Sequence, residues 1–252
     1  MPTPNADQLH LRLVAETPRS PLDLRPMLPR PAARLPIDGR HIFDLSWGGA
    51  RMLVHVGTAG PRLFVHGRDL TAAFPELAGA LEGIVVPGTV LDGEIVVPDG
   101  SGRLDRPALR SRLRAMGAHA ASPMDGGAAA FVISDMPWYG GGSLLAEPLS
   151  GRRARLAALG LDRPYLTAPA PIVEGGQRLL DAARAHGLAA VVAKRLDSPY
   201  LPGVRSRLWC SVRVGARIGD GLIADPGAGE PGNDPRGPVL ALLRTLPLGG
   251  DA

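Results

Sequence analysis

The sequence predicts an α+β fold built on largely antiparallel sheets. Three observations lead there. Short β-branched runs are joined by turn-forming residues, helical periodicities are interspersed among them, and 252 residues with 45% hydrophobic content are enough to bury a core without disulfides.

Residues 1 to about 20 are polar and aperiodic and read as a loose arm. Five prolines (Pro21, Pro26, Pro29, Pro31, Pro36) exclude a long helix before Asp38, so that stretch is expected to run extended over the surface. Arg51–Val56 and Arg62–His66 are strand-like and flank a turn at Thr58–Pro61, the pattern of a hairpin. Phe74, Leu77, Ala78 and Leu81 have amphipathic-helix spacing, with Thr71 as a plausible N-cap and Pro75 and Gly79 as weak points. Thr89–Val97 is a strand, Pro107–Met116 a basic helix and Ala128–Ile133 a strand. Leu149–Leu159 and Glu174–His186 are helices, the second closed by Gly187, and Leu188–Leu196 and Arg207–Val214 are strands. Beyond Val214 the composition turns to Gly, Asp, Pro and Ala. Residues 215–252 are therefore expected to be a disordered linker, with one short helix possible at Pro238–Leu248. The domain is expected at 21–214.

Composition narrows the chemistry less than it first promises. Net charge is +4 and pI about 9.9, compatible with a polyanionic partner such as DNA. Yet the basic residues are arginines apart from Lys194, in an Ala-, Gly- and Pro-rich chain of the kind GC-rich coding produces, so charge alone does not decide DNA binding. Cys210 is the single cysteine, and the six histidines form no ligand pair with it or each other, which argues against a zinc site and against disulfides. The sequence has no apolar run of about 20 residues and no secretory leader pattern, so no membrane association and a cytoplasmic location are expected.

Four segments carry a more specific signal. They are F-D-L-S-W-G-G-A-R at Phe43–Arg51, G-R-D-L-T-A-A-F-P-E-L at Gly67–Leu77, L-D-G-E-I-V at Leu91–Val96, and V-V-A-K-R-L-D-S-P-Y at Val191–Tyr200, continuing to Trp209. In this order they resemble the adenylation domain of ATP-dependent DNA ligases over roughly residues 22–214. The resemblance implies the DNA-ligase/mRNA-capping type of nucleotidyltransferase fold, two mainly antiparallel sheets flanked by helices. It also implies ATP or AMP as ligand, Mg2+ as companion ion, and DNA as partner.

In that family a lysine amine attacks the α-phosphate of ATP and holds AMP as a phosphoramidate. Carboxylates hold a divalent metal, and cations neutralise phosphate charge. The nucleophile position here is Ser46, a poor nucleophile without an adjacent base, and His41 has no evident reason to serve it. Arg51 stays protonated and cannot substitute. Other family positions have changed too: the aspartate after the motif tryptophan is Gly48, the adenine-stacking aromatic is Ser134, and the metal-binding glutamate is Ala189. The S-R-N-G turn is shortened to Val65-His66-Gly67, and the final K-x-K reads Ser211-Val212-Arg213.

Strand alternation allows the survivors Arg51, Glu94, Lys194 and Arg213 each to point into one cleft, away from apolar neighbours. By resemblance Arg51 and Glu94 contact ribose or metal, Lys194 the α-phosphate and Arg213 the phosphate chain, while Asp44 stands near the adenine. No DNA-contacting residue is singled out. Each position has a plainer structural reading: an ion pair for Arg51, Glu94 or Arg213, a surface strand lysine for Lys194, a turn for Asp92-Gly93, core for Trp209, and a solvated face for Arg106, Arg110, Arg112 and Arg114.

The 38 residues after Val214 are too few for a five-stranded OB-fold, so no closing domain is expected within this sequence. The losses point to a catalytically inactive or impaired ligase-like module in DNA repair. Three alternatives stay open: residual sealing of pre-adenylated nicks, a protein-interaction module with an empty nucleotide cleft, and pairing with an intact ligase or another repair protein.

Overall fold

A computed structural model describes residues 20–100, 102–114 and 127–214; the expected arm before Ser20 and the expected linker at 215–252 lie outside the described residues. The strands are β1 (Leu28–Pro31), β2 (His41–Ser46), β3 (Ala50–Gly57), β4 (Gly60–Val65), β5 (Arg68–Asp69) and β6 (Thr89–Val96). They continue with β7 (Ala130–Tyr139), β8 (Gly142–Ser143), β9 (Leu166–Thr167), β10 (Ala190–Arg195) and β11 (Arg205–Arg213). The α-helices are α1 (Pro75–Leu81), α2 (Arg106–Arg114), α3 (Leu149–Ala158) and α4 (Gly176–Ala185).

They build two sheets. One has four strands in the order β1-β11-β10-β2; the other has seven, in the order β5-β4-β3-β6-β7-β8 with β9 also on β7. Pairing is antiparallel except for β1 on β11 and β9 on β7, in line with the α+β expectation. Period-two alternation gives each sheet an inner and an outer apolar face. The outer face of the larger sheet (Met52, Val54, Leu91, Ile95, Phe131, Ile133) packs under Leu77 and Leu81 of α1, Leu109 of α2 and Leu156 of α3. On the smaller sheet Phe43, Val191, Ala193 and Val212 pack against Leu179, Leu180, Ala182 and Ala183 of α4. Between the sheets lie Met27, Ile42, Leu53, Val90, Leu149, Tyr200 and Trp209, all buried. Trp209 is thus core, its indole N–H donating to the Ser198 hydroxyl at 3.1 Å.

Several local expectations need correction. The Pro21–Asp38 stretch does not simply drape over the surface. Met27 is fully buried and β1 adds to the smaller sheet beside β11, because main-chain donors there find carbonyl partners such as Val204. Thr71 is not a helix cap. Residues Thr71–Ala73 form a 3-10 turn, α1 starts at Pro75, and the Thr71 hydroxyl instead accepts from Leu63 N–H and donates to Asp69. Strand β7 runs to Tyr139, six residues past the expected end, because Asp135 inside it is neutralised by burial against a cation. The basic helix is not uniformly solvated: Arg112 is buried, paired with Glu76 at 2.6 Å and stacked on Phe74 at 4.4 Å. Its expected last residues, 115 and 116, lie outside the described residues.

Candidate functional site

Ser46 ends β2 in the smaller sheet and Ala50 begins β3 in the larger one, so the Trp47–Gly49 turn joins the two sheets. The turn needs its glycines. Gly48 is left-handed (φ 81°), and a Cβ on Gly49 would stand 1.9 Å from the Ile95 carbonyl oxygen. Glu94 holds the turn from β6, the strand paired with β3, accepting from Trp47 N–H at 3.1 Å and Gly49 N–H at 2.5 Å. Burial pushes the Glu94 carboxyl above the ordinary carboxylate range, and these backbone donors pull it part of the way back.

On the smaller sheet, cross-strand partners share a face. Ser46 lies opposite Ala190, Asp44 opposite Val192 and Ile42 opposite Lys194; Lys194 in turn lies opposite Trp209, and Ala190 opposite Arg213. Ser46, Asp44, Lys194 and Arg213 therefore occupy one face of the smaller sheet. Lys194 is 2% exposed, 2.8 Å from Asp44 Oδ2 and 4.5 Å from the centre of the Trp209 ring. Both atoms of the pair are buried, and Lys194 Nζ has no other hydrogen-bond partner among the described residues. Burial opposes the Asp44 carboxylate, yet Lys194, then Arg153 and Arg51, outweigh it and hold its pKa below the ordinary value.

On the larger sheet, Arg51 lies opposite Glu94 in the ladder but turns its guanidinium to Asp92, with Nε–Oδ1 2.6 Å and Nη2–Oδ2 2.5 Å. Asp92 is no turn residue. It is fully buried within β6, beside a register shift, and also accepts the Tyr200 hydroxyl at 2.7 Å. Burial opposes the Arg51 cation, but Asp92 more than offsets this and keeps it protonated.

The fold thus brings Asp44, Arg51, Glu94 and Lys194 into one charge environment. Arg213 shares the face but is exposed and four rungs from Lys194, roughly 13 Å along the strand. Sequence reasoning missed Arg153. It is buried, donates to the carbonyls of Ser134 and Pro169, and belongs to the charge environment of Asp44. The doublet Arg152-Arg153 within an otherwise amphipathic helix was the available signal.

The donor set fits a phosphate better than a metal. Lys194 Nζ keeps donors free in a buried position, as a phosphate-binding ammonium must. Magnesium does not fit: both Glu94 oxygens already accept from backbone amides, Ala189 offers no donor, and the described residues contain no group of three His, Cys, Asp or Glu side chains that could hold a metal ion.

Residues 34–213 match the model of the ATP dependent DNA ligase domain. The chain belongs to that ligase family. It is 34% identical to DNA ligase C1 of Mycolicibacterium smegmatis over 218 residues, 79% of this chain and 62% of that protein. It is also 34% identical to the multifunctional non-homologous end joining protein LigD of Pseudomonas aeruginosa over 185 residues, 72% of this chain and 21% of that protein. This ligase-family chain thus spans less than two thirds of either relative. Among solved structures it is similar to a mycobacterial DNA ligase D complexed with ATP and MES, at TM-score 0.63 and 30% identity over 77% of this chain and 61% of that one. The Lig E DNA ligases, at 16% identity and TM-score 0.52, share the fold. The nucleotidyltransferase architecture expected from the four motifs is therefore the observed one.

Proposed function

We propose that residues 21–214 form a nucleotide- and DNA-binding ligase-like domain that does not adenylylate itself and serves as a binding or regulatory module in DNA repair. The carrying observation is Ser46 at the position of the attacking amine. Among the described residues no imidazole or carboxylate hydrogen-bonds its hydroxyl, and His41 Nδ1 is engaged by Asp38 at 2.8 Å. A serine without a base is a weak nucleophile.

What survives suits binding. Lys194 supplies charge and free N–H donors for an α-phosphate. Asp44 fixes the ammonium in place, and Arg51, anchored by Asp92, lines the opposite wall. Arg213 is open to a phosphate chain at the outer end. The repair context rests on the names of the relatives, DNA ligase C1 and LigD. A module acting on DNA without a membrane span would work in the cytoplasm; among the described residues no helix is long and apolar enough to cross a membrane.

Incubation with α-labelled ATP and Mg2+, followed by acid precipitation, is expected to leave no label on the protein. Stoichiometric labelling overturns the reading. One observation favours a second reading: sealing a pre-adenylated nick needs no lysine nucleophile, and the buried, partly unsatisfied Lys194 ammonium stands where such a phosphate would need it. Joined product from a pre-adenylated nicked duplex without ATP would select it.

A further inference from the structure

The helix that follows the Glu94 strand brings a cation to the inter-sheet turn. Arg106, the first residue of α2, is half-buried, and its Nη2 lies 2.9 Å from where a Cβ on Gly48 would be. The same point is 3.2 Å from the Ala189 Cβ. Neither neighbour has a polar side chain, and no hydrogen bond or ion pair of Arg106 is found among the described residues.

A second cation stands at the end of the strand next but one to Ser46. Ala189 accepts from Val214 N–H at 3.1 Å and its own N–H donates to the Ser46 carbonyl at 3.0 Å, while Arg213 lies opposite Ala190. Arg213 is exposed, with no ion pair among the described residues. Glu94 is the nearby carboxylate, but it is consumed by the amides of Trp47 and Gly49. Those amides are therefore not available to a ligand, and an anion arriving here would be held by a guanidinium group. Guanidinium suits that task, since its planar fork presents two parallel N–H donors to a phosphate.

We propose that Arg106 forms an oxyanion site over the Gly48 turn that takes a phosphate group of the bound ligand. The inference rests on the non-catalytic reading in taking that ligand to be phosphate-bearing. The phosphate has two possible sources, a nucleotide tail and a 5′-phosphorylated DNA end, and they share this chemistry.

The test titrates the whole chain with inorganic pyrophosphate, followed by calorimetry or phosphorus NMR. Wild-type protein is expected to bind. Arg106→Gln should weaken binding by roughly tenfold or more, the worth of one charge-assisted contact. Gly48→Asp offers the guanidinium an internal carboxylate on a residue type that tolerates positive φ, and should abolish binding. Circular dichroism and the melting point show whether each variant is folded, and Arg106→Lys should restore part of the affinity. No binding by wild type, or equal binding by wild type and Arg106→Gln, overturns the proposal.

Competition identifies the source. Displacement of pyrophosphate by ATP assigns a nucleotide tail. Displacement by a 5′-phosphorylated duplex and not by its 5′-hydroxyl counterpart assigns a DNA end. Displacement by neither also overturns the proposal. Failure of AMP to bind while pyrophosphate still does removes the nucleotide reading and leaves the oxyanion site standing.

Discussion

At the scale of single residues, the buried Lys194–Asp44 pair decides whether the cleft is a ligand site. Lys194→Met should lower AMP affinity about 10- to 100-fold, because a hydrogen bond to a charged group is worth roughly 1.5–3 kcal/mol. It also strands Asp44, so stability should fall as well. The double change with Asp44→Asn should recover stability but not affinity, and calorimetry beside thermal melts separates the two. Unchanged AMP affinity in Lys194→Met would remove Lys194 from the site. His55 makes a pH prediction of known sign. It is buried on β3 with Nδ1 unpartnered; burial first, then Arg62, lowers its pKa from 6.5 to about 4. The unfolded chain therefore binds a proton that the folded chain refuses. Stability is full above pH 6.5 and falls as pH drops toward 4, by on the order of 1–3 kcal/mol. His55→Gln should flatten this part of a urea-denaturation pH profile, and an unaltered slope would contradict the assignment.

At the scale of elements, one arginine bolts α3 to β7 and to the loop between β10 and β11. Arg152 is fully buried, bidentate on Asp135 of β7 at 2.8 and 2.9 Å, and donates to the carbonyls of Glu147 and Ser198. Removing one partner of such a pair leaves an uncompensated charge, so Arg152→Ala should cost about 3–5 kcal/mol in chemical denaturation. Tyr200→Phe should cost about 1–3 kcal/mol, since it deprives Asp92 of a donor and Met27 N–H of an acceptor. These two residues also show where the sequence was readable. Strands β3, β4, β6, β7, β10 and β11 were legible as β-branched runs, and alternation set Arg51, Glu94, Lys194 and Arg213 opposite their apolar neighbours; strand β2, and with it the place of Asp44 and Ser46 on the face of Lys194 and Arg213, needed the cross-strand register. The partners were not legible. Alternation places Arg51 and Glu94 on one face but cannot say that Arg51 reaches past Glu94 to Asp92. Local propensity treats Asp135 as a strand breaker, because the cation that neutralises it comes from 17 residues away. A proline-rich strand such as β1 has no signature of its own, since its partner β11 is over 170 residues distant.

At the scale of the whole molecule, Lys194 and Arg51 belong to different sheets, so a ligand held between them should bind the folded chain and not the unfolded one. AMP at a hundred times its dissociation constant should then stabilise the fold by about 2.7 kcal/mol and raise the melting temperature accordingly. No shift at saturating AMP would mean that the walls do not close on a nucleotide. The Ser198–Tyr200 segment bears on the same point. Ser198 receives the Trp209 indole N–H and its carbonyl receives Arg152, while Tyr200 ties Met27 to Asp92. The struts of the frame are thus different atoms from those a transferase needs for attack. A chain of this architecture can lose the attacking amine at residue 46 and still melt as a sound, cooperative body. Retained thermal robustness in such a protein is accordingly no guide to whether it turns over.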